Sequence, residues 1–154
     1  MSVPKSLVVL LVVGIGGAPS VVRGQPADSI ASAPDSTTED TPAVARRVAT
    51  AFAEGDARRL LTPSADRVEI SLFGNRTFYS SSQAVYVLRE FFRRHPSGRF
   101  AVGDVMEAGT SFFVRGEYEE ARMARRHRVY VRLDRPQGKD LWNLHEVRIE
   151  HAAE

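Results

Sequence analysis

From Arg128 to Leu133 apolar and polar positions alternate: Val129, Val131 and Leu133 on one side, Arg128, Tyr130, Arg132 and then Asp134 on the other. A period of two with β-branched residues on the apolar side predicts a half-buried antiparallel strand. The polar stretch from Asp134 to Asp140 holds Pro136 and Gly138 and reads as a hairpin loop. In the returning arm, Leu141 to Glu150, Trp142 and Leu144 share one face while Val147 and Ile149 fall on the opposite parity. One extra residue near His145-Glu146 would restore a single apolar face, so a β-bulge is predicted there. Burying Val129, Val131, Leu133, Val147 and Ile149 would contribute ~1.5–3 kcal/mol each as an upper bound. That makes the hairpin the base of a core.

Upstream, the period changes. Thr41-Pro42 predicts a helix start with Thr41 as N-cap, and Val44, Val48, Ala51 and Phe52 then recur at helical spacing. Gly55 ends that helix. Asp56 caps a short second one, Ala57 to Leu61, which stops at Thr62-Pro63. Arg67 to Leu72 alternates as a strand, Gly74-Asn75 makes a turn, and Thr77 to Tyr79 returns. Asn75-Arg76-Thr77 matches a glycosylation sequon, read here as a turn only. Ser80 with Gln83 three residues on forms a capping box. It opens a helix whose wide apolar face carries Ala84, Val85, Val87, Leu88, Phe91 and Phe92, ended by Pro96 and Gly98. Strands at Arg99–Glu107 and Ser111–Tyr118 flank a turn at Ala108-Gly109. An Arg-rich connection, Glu119 to Arg126, leads into the hairpin.

Composition changes this picture mainly at the amino terminus. Lys5, the apolar run Leu7 to Ile15, the break at Gly16-Gly17-Ala18-Pro19 and small or aliphatic residues at Val22-Arg23-Gly24 read as a secretory signal peptide, residues 1–24, with an uncleaved N-terminal anchor as the alternative. The run is shorter than the ~20 residues a membrane-spanning helix needs, so no integral membrane segment is expected after cleavage. Residues 25–40 are rich in Ala, Ser, Thr, Pro and Asp and read as a disordered acidic tether. Residues 41–151 then form the folded domain. There is no cysteine among the 154 residues, which closes lipoprotein anchoring, disulfide staples, thiol catalysis and Cys-based zinc sites. Lys5 and Arg23 leave with the leader, taking the net charge from +2 to zero. With the tether's four acids set aside, the folded part is near +4. That is no strong basic field, and nucleic-acid binding is not expected.

The order helix, helix, strand pair, helix and four strands resembles the nuclear transport factor 2-like (cystatin-like) superfamily. Local motifs narrow the resemblance: Phe78-Tyr79-Ser80 with Gln83-Ala84, then Leu88-Arg89-Glu90-Phe91-Phe92 and Pro96, Arg128-Val129-Tyr130-Val131, and the ending Val147-Arg148-Ile149-Glu150. Together these are similar to a family of small secreted bacterial proteins, domain of unknown function 4783, over about Val44 to Glu150. The resemblance implies an α+β fold, a cone-shaped curved antiparallel sheet of four to six strands wrapped on one long helix with two shorter N-terminal helices. It implies export, to the periplasm or outside the cell, and no assigned activity.

The cone fold often holds a pocket between the long helix and the concave sheet, where related enzymes place proton-transfer groups. The candidates here are Tyr79, Tyr118, His145 and Glu146, with Asp66 and Asp104 as neighbours. Against this, Glu146 can simply pair with Arg132 or Arg148, leaving His145 a partly exposed strand residue. His95, His127, His145 and His151 lie at no recognised ligand spacing, so no metal or other cofactor is expected. There is no Gly-rich phosphate loop and no nucleophile elbow. Arg122, Arg125 and Arg126 form a basic loop suited to anionic envelope polymers or lipid headgroups, or else a solvated tip offset by Glu119 and Glu120. Tyr130, Arg132 and Arg148 on the outer sheet face suit a protein interface, and members of the superfamily commonly dimerise there. The reading is a non-enzymatic module that binds a small ligand in the pocket or a protein on the sheet face. The alternative is a small acid–base enzyme, an isomerase or dehydratase, using His145 or Glu146.

Overall fold

A computed structural model describes residues 39–153; the proposed signal peptide and most of the tether lie outside them. The chain runs α1 (Thr41–Glu54), α2 (Ala57–Leu60), β1 (Ser64–Leu72), β2 (Asn75–Ser80), α3 (Ser81–Arg94), β3 (Ser97–Ala108), β4 (Ser111–Glu120), β5 (Arg126–Asp134) and β6 (Asn143–His151). The six strands form one curved sheet in the order β2-β1-β6-β5-β4-β3. Four of its junctions are antiparallel. The fifth, β1 with β6, is parallel, which joins the first hairpin to the last strand and which no local pattern encodes.

Several local expectations hold. Ser80 and Gln83 form both bonds of the capping box. In the β5–β6 ladder Arg132 faces Glu146 while Leu133 faces Leu144, so His145 is the extra residue of the expected bulge. The bulge returns Leu144, Val147 and Ile149 to one buried face.

Others shift. The N-cap of α1 is Asp40 rather than Thr41: its carboxylate accepts the Ala43 amide at 2.8 Å, where a negative charge also suits the helix dipole. Glu39 pairs with Arg47, so the last two acids of the acidic run belong to the domain. The β1–β2 turn is Phe73-Gly74, not Gly74-Asn75; both residues have positive φ, the arrangement of a type I′ hairpin turn. The helices α1 and α3 are equally long, 14 residues each. Both cover the inner face, α1 over β3 and α3 over β1 and β2.

The core fills the middle of that inner face. Phe52, Phe112, Tyr118 and Trp142 are fully buried there, with Leu88, Val114, Val131 and Leu144 around them. Phe52 stacks on Phe100 at 4.8 Å between ring centroids. The middle of the inner face is therefore filled by side chains, and a cleft opens beside β1 and β2.

Candidate functional site

That space is a cleft of about 540 Å³ between α3 and the first hairpin. Alternation along β1 and β2 turns Ile70, Leu72, Asn75, Thr77 and Tyr79 toward it, and α3 contributes Tyr86, Val87, Glu90, Phe91 and Arg94. Phe73 and His95 close its inner end. Phe73 has φ +52°, unusual for a bulky side chain at a turn where Asn is preferred. Its ring stacks on His151 at 4.3 Å and lies 5.3 Å from His127 and 5.6 Å from His95.

Behind His95 lies a buried polar cluster. His95 caps the C-terminus of α3, and its Nδ1 lies 2.8 Å from Glu120 Oε1. His127 Nε2 lies 2.6 Å from the same oxygen. Glu120 and His127 are both buried, while His95 remains partly open to solvent. Burial raises the Glu120 pKa, but the bonds from His127 and His95 outweigh it and the carboxyl sits below its ordinary value. His127 Nδ1 is buried without a partner. The Tyr118 hydroxyl donates to the His95 carbonyl, and burial pushes that phenol up to about 12. It is a structural donor rather than a proton carrier.

The structure does not gather Tyr79, Tyr118, His145 and Glu146 into one pocket. Tyr79 lines the cleft and Tyr118 is core. His145 sits in the bulge near Asp134 at 3.5 Å, and Glu146 lies on the outer face bonded to Arg148 at 2.8 Å. The bulge restores Val147 to the core and thereby turns Glu146 outward. Of the two candidate neighbours, Asp66 lies in β1, and Asp104, in β3, is 3.9 Å from Arg115. Neither lines the cleft. Arg122, Arg125 and Arg126 are exposed at the β4–β5 turn as expected; Arg126 lies 3.9 Å from Glu117. Their supposed counter-charge Glu120 is not on the surface at all. Tyr130, Arg132 and Arg148 do share the outer face, with Arg148 over the Tyr130 ring at 5.5 Å.

The cluster was readable in part. Stepping back two from Val129 in the β5 alternation reaches His127, and the β4 series Phe112, Val114, Gly116, Tyr118 reaches Glu120 in one more step. The alternation alone predicts β4 to stop at Tyr118 and β5 to begin at Arg128, each just short of these residues.

The model of the family described as domain of unknown function (DUF4783) matches residues 45–150. The chain belongs to the DUF4783 family. Its fold is nuclear transport factor 2-like, as that of its relatives shows. A DUF4783 protein of Bacteroides ovatus is 26% identical with a TM-score of 0.64, over 70% of this chain and 94% of that one. One from Bacteroides uniformis is 24% identical, TM-score 0.65, over 75% and 100%. A nuclear transport factor 2-like protein of unknown function from Silicibacter pomeroyi shares the fold at 12% identity and TM-score 0.52, over 72% and 92%. No curated protein matches the DUF4783 chain in sequence. Among its described residues no helix is long and apolar enough to cross a membrane.

Proposed function

We propose that this DUF4783 protein is an exported binding module that takes a small amphipathic molecule into the α3/β1–β2 cleft. Export rests on the leader pattern in residues 1–24. The observation that carries the binding reading is the cleft itself: an open volume with an aromatic and aliphatic lining that ends on one fixed imidazole. Arg94 and His95 make an acidic group the fitting polar end of the ligand. Acid–base catalysis needs two convergent titratable groups facing the substrate. Glu90, the cleft's one carboxylate, is bonded to Arg93 and Arg94, which hold its carboxyl down to about 2. Of the titratable groups that remain in the cleft, His95 is bonded only to Glu120 behind it and to neither Tyr79 nor Tyr86, which favours binding over an isomerase or dehydratase.

The test is amide-shift mapping by NMR with a panel of small aromatic carboxylates. Saturable shifts at Tyr79, Tyr86 and His95 are expected, and Val87→Trp should abolish them by filling the cleft. Shifts that avoid these residues, or that persist in the Trp variant, would remove the proposal.

A second surface, the outer face around Tyr130, has its own support. Phe113 and Tyr130 pack at 5.9 Å under Arg148, an aromatic and arginine composition that suits a protein partner. We assign it to pairing with a second copy.

A further inference from the structure

We infer that His95, Glu120 and His127 form a binding site for one divalent transition-metal ion of the zinc class. The three side chains come from the end of α3, the end of β4 and the start of β5, and their ligating atoms all lie within 4.8 Å of one another. Zinc bonds to nitrogen and oxygen are ~2.0–2.2 Å long, so tetrahedral ligand atoms stand ~3.3 Å apart. Backing Glu120 Oε1 off from its 2.8 and 2.6 Å contacts by about half an ångström gives that spacing to each ring nitrogen, and the two nitrogens, within 4.8 Å of each other, close on the ion by side-chain rotation. Two imidazoles and one carboxylate are a donor set zinc accepts, with a fourth position left for water or a ligand.

Charge supplies the second argument. Glu120 is a buried carboxylate, and among the described residues its ion-pair partners are only the two histidines; no Arg or Lys reaches it. A buried carboxylate whose compensation comes from imidazoles alone is the setting in which a metal cation replaces ring protons. His127 adds a fully buried ring whose Nε2 turns to that same oxygen. A bound cation compensates the carboxylate directly and gives the convergence of both nitrogens a reason. Phe73, Phe91 and Tyr118 pack around the two rings, and His95, on the cleft, gives the ion a way in. This site stands independently of whether the cleft takes an organic ligand.

The test is calorimetric titration of the chelator-treated protein with zinc chloride. One ion per chain is expected. His95→Asn, at the half-open position, should weaken binding at least ~10-fold, the lower loss seen even for outer-shell changes around metals. His145→Asn, in the remote bulge, should leave it unchanged. Because variants of Glu120 or His127 can fail to fold, the wild-type protein supplies a second readout: zinc should shift the coordinating nitrogens, His95 Nδ1 and His127 Nε2, in imidazole ¹⁵N spectra. No uptake by the wild type, uptake that His95→Asn leaves intact, or ¹⁵N shifts confined to His145 and His151 would each overturn the assignment.

Discussion

Gly116 shows how tightly single atoms constrain this core. It lies in β4 on the inner face, and a Cβ there would stand 2.5 Å from the tip of the Phe100 ring and 2.6 Å from the Ala101 carbonyl oxygen. The ring is held by its stack on Phe52, and the carbonyl belongs to the neighbouring strand, so neither can yield cheaply. Gly116→Ala should therefore destabilise the domain by about 1–3 kcal/mol, the usual cost of overpacking. Urea unfolding reads it directly, and a midpoint within error of the wild type would show that β3 moves freely. The same residue-level logic limits what sequence carries about the site. Glu120 looks like a loop acid because it follows Glu119 and precedes Arg122. Only its place in the β4 alternation reveals that it points inward. His95 has no such signal, since it sits beyond the last turn of α3 and its partner is 25 residues away.

The elements differ in how much of their own structure they specify. The start of α3 is local: Ser80 and Gln83 meet within one turn, so four letters suffice to predict it. The bulge in β6 is also local, because it follows from a parity break within one strand. The parallel pairing of β1 with β6 is different. It joins segments some 80 residues apart through inner-face packing, and nothing in either strand names its partner. Within α3, Glu90 receives bonds from both Arg93 and Arg94, which bring its pKa from the ordinary 4.5 to about 2. A carboxyl depressed in the folded state stabilises above its unfolded value and loses that contribution as pH falls toward the folded one. Glu90→Gln should thus lower the urea midpoint at pH 6, with the deficit shrinking between about pH 4.5 and pH 2. The effect is small at so exposed a site and is screened by salt. A deficit that stays constant from pH 6 to pH 3 would show that the arginines do not act through this carboxylate.

At the scale of the molecule, the sheet's two faces divide the work. The inner face holds the core, the cleft and the histidine cluster. The outer face sets Glu69 of β1 directly beside Glu146 of β6, each largely buried, an arrangement that would repel without compensation. Arg76 answers the first and Arg148 the second. Arg148 then spans to the Tyr130 ring, beside a hollow of about 350 Å³ lined by Gly103, Arg115, Arg128 and Tyr130 among others. Two-fold pairing of identical chains sets one patch against itself, and this patch offers both charge signs and aromatic rings to its copy, the pairing proposed above. A stable pair would bury ~800 Å² on each copy, and a central Tyr is the residue type on which such an interface most often depends. Sedimentation of the protein should therefore show a dimer that dissociates on dilution. Tyr130→Ala should shift it to monomer while leaving zinc binding unchanged, because the cluster lies on the opposite face. A wild-type protein that stays monomeric at millimolar concentration would leave the outer face as a charge-paired surface alone.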